Sequence, residues 1–329
     1  MQSECDKVFT CERDRVLREF VKERFSPLKV YMDMTRRCND DAENSDDVDL
    51  TFYVAGIACQ SFSKAGKNLG IEDTADGGRG CLFGYALDFI TNRLPRSFII
   101  ENVENLVRGH EDTFNSWVRA LCDVGGGFYN VHWSVLATAE HGVPQRRRRV
   151  YVVGIRKDVQ KAPFVFPDKV DTLPLDTVLD DTSAATGCFT LPKHRTGTRN
   201  VVRGLEEIIK RGCGPARTPA VIDHGASRGS VTFGASPTLT AARAKTGGFW
   251  LLHKGRTMTL DEIMRLQGMR PSRFQLTCGM RPSAMGKAVG NAMSGNVLHR
   301  VVARIAWALG MDEVRDQWSD PVRAAKLLF

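Results

Sequence analysis

The chain has 329 residues, 42% of them hydrophobic and 26% charged, which is enough to bury one large core or two smaller ones. The formal net charge is +8 and the pI is about 9.1, so the composition favours a polyanionic partner. No apolar run approaches the roughly 20 residues that cross a bilayer, and the amino terminus lacks a secretory pattern. We expect an intracellular protein with no membrane partner, nuclear in a eukaryote and otherwise in the cytoplasm or nucleoid.

Nine cysteines occur at irregular spacings with no Cys-x-x-Cys pair and no Cys/His cluster at ligand spacing. This pattern favours reduced thiols over disulfides and predicts no metal site.

Two short predicted strands near the amino terminus end in acids. Residues 8–12 end at Glu12, and residues 29–32 are followed by Asp33, with an amphipathic helix predicted between them over residues 13–25. In a nucleotide-binding doubly wound sheet, an acid in this position accepts hydrogen bonds from ribose hydroxyls or from an adenine amine.

A β-prone run over residues 51–55 places Cys59 where a strand ends and a polar, basic loop begins. A second buried strand, residues 96–100, delivers Glu101 to the same edge of the sheet. A nucleophile and an acid are thus predicted to face one pocket.

Four consecutive arginines, residues 146–149, lead into a strand predicted over residues 150–154. Because strand side chains alternate, Arg147 and Arg149 are predicted to share one face and Arg146 and Arg148 the other.

The chain changes character from residue 162 to residue 257, where proline, glycine and threonine are frequent and periodicity is weak. We interpret this segment as a second, irregular domain of short strands and loops with a basic face. Regular structure returns in a helix over residues 259–267, where Thr259 and Glu262 have capping-box spacing, and in a helix over residues 297–309. The predicted organisation is a core of residues 1–161 and 258–310, a second domain of residues 162–257, and a tail of residues 311–329.

Five segments, in this order along the chain, resemble motifs of the DNA (cytosine-5) methyltransferases. They are Gly56-Ile57-Ala58-Cys59-Gln60-Ser61-Phe62-Ser63, Glu101-Asn102-Val103, Gln145-x-Arg147-x-Arg149, residues 259–269 with Arg265-Leu266-Gln267-Gly268, and Gly290-Asn291-Ala292. Ser236-Pro237-Thr238-Leu239-Thr240 and Ala244-Lys245-Thr246-Gly247-Gly248 are similar to the end of the target-recognition domain in bacterial members.

The resemblance implies an α/β fold, a doubly wound Rossmann-like methyltransferase sheet with a smaller, irregular, β-rich target-recognition domain. It implies methyl transfer from S-adenosylmethionine to carbon 5 of cytosine in double-stranded DNA. Cys59 would add to carbon 6 of a flipped-out base, and Glu101 would meet the charge that develops at ring nitrogen 3. Arg149, with Arg147, would hold the base carbonyl and the loop or phosphate nearby.

Further residues are implied in binding. For the cofactor they are Glu12 at the ribose, Asp33 and Met34 at the adenine, and Ala58, Leu82 and Asn291 elsewhere in the pocket. For the nucleic acid they are Gln60, Ser61, Ser63, Lys67, Arg79 and Thr238.

Two positions depart from the family pattern. Ala58 stands where the family has proline, which removes a fixed φ before the nucleophile. The first motif of the family, a strand ending in Phe-x-Gly-x-Gly, is absent before the strand that ends at Glu12. We consider an incomplete coding sequence, a split enzyme completed by a separate chain, and a decayed copy, and we favour the first.

Two other functions stay open. One is a tRNA cytosine methyltransferase, since Cys188-Phe189-Thr190 is similar to a tripeptide of the RNA-directed branch. The other is a non-catalytic nucleic-acid-binding or regulatory subunit, which would include a truncated, inactive copy.

Overall fold

The computed structural model describes residues 8–36, 49–57, 82–181, 190–227, 229–277 and 279–329. The chain divides into two compact units. The first comprises Met1–Leu136, Arg148–Pro167 and Val301–Arg315, and the second comprises Ala137–Arg147, Asp168–Arg300 and Asp316–Phe329.

The main sheet of the first unit has the strand order β3-β4-β7-β5. These strands are β3 (Phe52–Gly56), β4 (Ser97–Val103), β5 (Tyr129–Ala137) and β7 (Arg148–Arg156). β4 runs parallel to β3 and antiparallel to β7, and all of its residues are buried. β4 is longer than the predicted strand because its pairing with β7 continues to Val103, so Glu101 lies inside the strand.

A second, two-stranded parallel sheet of this unit pairs β1 (Phe9–Cys11) with β2 (Lys29–Tyr31). The predicted strand–helix–strand order is confirmed, with α1 (Arg15–Phe25) capped by the Asp14 side chain. Within the described ranges β1 and β3 share no ladder. They meet through side chains, with the Phe9 ring centroid 6.4 Å from that of Tyr53.

Three helices of the first unit pack on the buried apolar face of the main sheet. They are α2 (Leu82–Arg93), α3 (Asn105–Gly109) and α4 (Glu111–Asp123). Phe83 of α2 stacks on Trp117 of α4 with ring centroids 4.1 Å apart, and both belong to the core that also contains Ile100 of β4. Burial of this apolar surface is the main stabilising contribution of the sheet–helix layer.

The second unit contains a small antiparallel sheet, in the order β12-β11-β8-β9. The strands are β8 (Ala220–Ile222), β9 (Val231–Phe233), β11 (Trp250–Leu251) and β12 (Arg256–Thr257). Its short strands match the predicted β-rich domain. The expectation of strands and loops alone is wrong, however, because a 16-residue helix, α5 (Arg195–Lys210), packs on this sheet.

The remaining elements of the second unit are short. They are β6 (Gln145–Arg146) with its parallel partner β10 (Ser236–Pro237), then α6 (Ala241–Lys245), α7 (Leu260–Leu266), α8 (Pro282–Asn291) and α10 (Pro321–Leu327). The capping box of α7 is confirmed, since the Thr259 and Glu262 side chains each bond the backbone of the other. The helix predicted over residues 297–309 is observed as α9 (Gly295–Ala308).

A search of the described helices for an apolar span long enough to traverse a bilayer finds none.

Candidate active site

Glu101 is a buried carboxylate at the carboxyl end of the main sheet. It is 6% exposed and is the register partner of Gly56, the last residue of β3. Its partner on the other side is Tyr151 of β7, two residues from Arg149. The Glu101 and Arg149 side chains therefore share one face of the sheet.

Arg149 is paired with this carboxylate. Its Nε lies 3.2 Å from Glu101 Oε1, and its Nη1 donates a hydrogen bond of 2.8 Å to the carbonyl oxygen of Arg148. Exposure alternates as predicted, since Arg147 is buried and Arg149 partly buried while Arg146 and Arg148 are exposed.

The predicted nucleophile, Cys59, lies outside the described residues, and so do six other predicted positions. These are Ala58, Gln60, Ser61, Ser63, Lys67 and Arg79. The described residues before this gap end at residue 57. Gly56, which pairs with Glu101, is three positions before Cys59 in the sequence.

Glu12 and Asp33 follow the neighbouring parallel strands β1 and β2, as predicted. Glu12 Oε1 accepts the backbone N–H of Asp14 at 2.8 Å. The backbone N–H and the hydroxyl of Thr35 each donate to Asp33 Oδ1 at 2.9 Å. The hydrogen bond from the Thr35 backbone has the largest effect on the pKa of the Asp33 carboxyl and lowers it below its usual value. The bond from the Thr35 hydroxyl and the charge of Arg13 lower it further.

Two apolar residues of the predicted cofactor set also belong to the first unit. Met34 begins a single turn after β2, and Leu82 begins α2; both are partly buried against the core formed under the main sheet. Their side chains are apolar and partly exposed.

Arg147 has a different environment from Arg149. It is 2% exposed and lies in the second unit, where Nη1 donates to the carbonyl oxygen of Leu239 at 3.2 Å and Nη2 to that of Ala292 at 2.8 Å. These are contacts of a positioning residue, which holds backbone in place.

Two glutamines complete a buried polar cluster around Arg147. Gln145 Oε1 accepts the Leu239 N–H at 3.0 Å, and Gln145 Nε2 donates to Gln267 Oε1 at 3.1 Å. Gln267 Nε2 in turn donates to the Ala292 carbonyl at 2.6 Å. Hydrogen bonds to the backbone of Leu239 and Ala292 thereby connect four sequence motifs, those that contain Gln145, Leu239, Gln267 and Ala292.

The last two predicted positions also lie in the second unit. The Thr238 hydroxyl donates to the carbonyl of Arg146 at 2.5 Å, which ties β10 to β6. Asn291 is the exposed last residue of α8. The neighbouring Gly290 packs closely against the backbone of Thr240. A Cβ atom on residue 290 would lie 2.5 Å from the Thr240 carbonyl oxygen.

Comparison with known proteins identifies the family. A sequence profile described as C-5 cytosine-specific DNA methylase matches residues 1–307. The chain belongs to this family. The resemblance found in the sequence motifs is thereby confirmed.

The methylase is similar to bacterial enzymes over most of its length. It is 31% identical to the Type II methyltransferase M.NgoBI of Neisseria gonorrhoeae over 298 residues, which covers 89% of this chain and 84% of the relative. It is 29% identical to the Type II methyltransferase M.HaeII of Haemophilus aegyptius, covering 93% and 88%. In fold it is similar to the methyltransferase EhMeth of Entamoeba histolytica, with a TM-score of 0.62 at 15% identity, covering 92% of this chain and 90% of the other. The predicted Rossmann-like methyltransferase fold with a second β-rich region is confirmed.

The structure of the methylase also contains a buried group that the sequence motifs did not indicate. His141 is 1% exposed, and its Nδ1 lies 2.7 Å from Arg300 Nη1, while Arg300 Nε donates to Asp316 at 2.9 Å. Burial, followed by the positive charge of Arg300, lowers the pKa of His141 to about 4. No local pattern predicts it, because 159 residues separate His141 from Arg300.

Proposed function

We propose that this chain methylates carbon 5 of cytosine in duplex DNA, with Cys59 as the covalent nucleophile. The observation that carries the proposal is the sheltered Glu101–Arg149 pair, which joins β4 to β7 beside the last residue of β3. Gly56, beside Glu101, is three residues before Cys59, and three residues of chain reach at most about 11 Å. The length of chain between Gly56 and Cys59 therefore allows the thiol to approach the acid.

The chemistry needs both groups. The Cys59 thiolate forms a bond to carbon 6, and the ring electrons move toward nitrogen 3, where Glu101 supplies a hydrogen bond or a proton. Carbon 5 becomes nucleophilic as a result and would take up the methyl group that S-adenosylmethionine supplies. Transfer of the carbon 5 proton to a base or to water then restores the double bond and expels the Cys59 thiolate. Arg149 orients the Glu101 carboxyl throughout.

S-adenosylmethionine fits the donors and acceptors of the first unit and supplies the methyl group when bound. Glu12 and Asp33 follow adjacent parallel strands. Each carboxylate has oxygen lone pairs left over to accept hydrogen bonds from ribose hydroxyls or the adenine amine. Met34 and Leu82 offer apolar surface to the purine, and Asn291 and Ala58 are further proposed contacts.

Duplex DNA is the proposed substrate, and the base must leave the stack to reach Cys59. Residues proposed to contact the nucleic acid are Gln60, Ser61, Ser63, Lys67, Arg79 and Thr238. We propose that residues 162–257 form the target-recognition domain, that residues 1–161 and 258–310 form the catalytic domain, and that residues 311–329 form a tail. The small sheet with α5 supports a separate recognition unit.

We further propose that one more strand pairs with β3, supplied by this polypeptide or by a separate chain. The support is that β1–β2 and the main sheet are separate ladders within the described ranges, although Phe9 and Tyr53 of the facing strands are in ring contact. A strand carrying the first motif of the family would complete the sheet.

A mechanism-based trap tests the proposed function. Duplex DNA with 5-fluorocytosine at the target position cannot lose fluorine from carbon 5, so the Cys59 adduct persists in denaturing gels. We expect an adduct with the full chain and S-adenosylmethionine, and none with Cys59→Ser. An adduct that survives in Cys59→Ser would overturn the proposal.

Parallel assays separate the alternatives. Methyl transfer to tRNA and not to duplex DNA would favour the RNA-directed function. Tight duplex binding without an adduct on any cytosine context would favour a non-catalytic binding subunit.

A further inference from the structure

Helix α5 presents a row of basic side chains on the face that points away from the small sheet. Arg195, Arg199 and Arg203 are exposed and spaced four residues apart, so they lie along one side of the helix. The opposite side is buried, where Val201 and Ile208 pack against strands β8 and β11.

Neighbouring acids do not neutralise the charges of this row. Within the part of the chain that the structure describes, no carboxylate forms an ion pair with any of the three arginines or with Lys193 just before them. Other arginines of this unit are paired, such as Arg243 with Asp223 at 2.9 Å. The first acid along α5 is Glu206, after all three arginines.

The helix dipole makes this placement unfavourable without a ligand. The amino-terminal end of a helix carries partial positive charge and favours anions, yet the first turn of α5 contains Arg195 and no acid. Lys193, Arg195, Thr196, Thr198 and Arg199 line an open depression at this end. A basic surface at a helix amino terminus is a binding site for phosphate groups.

We propose that the exposed face of α5 binds the phosphate backbone of duplex DNA. The proposal rests on the DNA substrate proposed above and names a surface that the sequence motifs did not include. From Arg195 to Arg203 the helix rises roughly 12 Å. One DNA strand presents a phosphate about every 3.4 Å of helix axis, so the row covers roughly 3.5 phosphate steps, enough for one phosphate per arginine. An anionic membrane is the weaker candidate, because Val201 and Ile208 of α5 are buried in the protein and only Val202 and Ile209 remain as exposed large apolar side chains.

The test compares two variants of equal net charge. One is the triple substitution Arg195→Gln, Arg199→Gln, Arg203→Gln. The control is Arg281→Gln, Arg323→Gln, Lys326→Gln, which removes three exposed charges elsewhere in the same unit. Affinity for a short duplex is measured by fluorescence anisotropy between about 50 and 200 mM salt.

We expect the α5 variant to bind at least about tenfold more weakly at low salt and to lose about 2 to 3 units of salt slope, since each phosphate contact contributes about 0.9. The control should keep the wild-type slope within about 0.5 of a unit. Helicity and the urea midpoint should not fall in the α5 variant, because removing cations from a helix amino terminus does not weaken it.

Three outcomes decide the matter. Equal affinity and slope for the α5 variant and the control would overturn the proposal. So would loss of binding to phosphatidylserine vesicles with DNA binding unchanged, which would assign the surface to membranes. If the wild-type chain forms no 5-fluorocytosine adduct but the α5 variant still loses duplex affinity, the surface is supported and the catalytic proposal fails.

Discussion

At the residue scale, the site depends on two side chains that shelter each other. The Glu101 and Arg149 side chains are 8% and 15% exposed, so removing one leaves the other as an uncompensated, sheltered charge. Substitutions that keep the size and shape of the Glu101 or Arg149 side chain therefore test its role best.

Glu101→Gln removes the acid and keeps the size of the side chain. We expect single-turnover methylation to fall by about 10² to 10⁴, because general acid assistance at ring nitrogen 3 is lost. Duplex affinity should change little. The control is Glu104→Gln, whose partners Arg108 and Arg148 are exposed. A Glu101→Gln variant with the rate of the control would contradict the assigned role.

The buried His141 predicts how stability depends on pH. Its pKa is about 4 in the folded chain, against an ordinary value of 6.5, so below pH 6.5 the unfolded chain binds a proton that the folded chain does not. Stability is therefore lost as pH falls from about 6.5 to 4, by up to about 3 kcal/mol from this group. His132 and His224, whose pKa values are also lowered by burial, add in the same direction.

Urea unfolding of the wild-type chain and of His141→Gln at pH 7 and pH 5 checks this expectation. The variant should be less stable at pH 7, because the contact with Arg300 changes, but it should lose less stability on acidification. Parallel pH profiles for the two chains would show that His141 is not the titrating group.

At the element scale, glycines let two helices of the second unit approach closely. In α8, a Cβ at Gly286 would lie 2.3 Å from the Ala244 carbonyl oxygen, and one at Gly290 would lie 2.5 Å from that of Thr240. The contacts are to backbone, which cannot rotate away. The glycine of the Gly290-Asn291-Ala292 motif thus has a packing reason that is independent of any ligand.

Gly290→Ala should destabilise the chain by about 1–3 kcal/mol, because the new methyl group forces α8 away from Thr240. The matched control is Gly84→Ala in α2, where nothing lies within 4 Å of the added Cβ. That variant should be neutral or more stable by about 0.5–1 kcal/mol, since alanine favours a helix. Equal urea midpoints for the two variants would refute the packing argument.

At the scale of the whole molecule, the main sheet of the first unit bears on the proposal that one more strand pairs with β3. Within the described ranges β4 is hydrogen-bonded on both sides, to β3 and β7, whereas β3 is bonded to β4 alone. An unpaired strand edge exposes backbone groups and invites another strand.

Hydrogen exchange measures this difference directly. In the chain by itself, we expect the β3 amides that face away from β4 to exchange on the order of 10²-fold faster than the amides of β4, which serve as the internal control. Addition of a strand that pairs with β3 should slow them. Uniform protection across β3 and β4 would mean that the outer edge of β3 is already paired.

Local features of the sequence were sufficient for much of this molecule. Apolar periodicity located β1, β2, β3 and α1 to within two residues, and the cap at Thr259 located α7. The order of the motifs along the chain was enough to identify the family. Each motif carries a residue type that the reaction needs: a thiol, an acid or an arginine. Alternation of side chains was enough to separate the sheltered Arg147 and Arg149 from the exposed Arg146 and Arg148.

Contacts between distant parts of the chain decided the rest. Arg147 and Arg149 look equivalent in sequence, yet one holds the Leu239 and Ala292 carbonyls and the other pairs with Glu101. Helix α5 escaped prediction because glycines weaken its local propensity, whereas in the folded chain Gly204 leaves space that the Ile222 side chain fills. Propensity and periodicity act over a few residues, whereas these partners are brought together only when the sheets and helices pack.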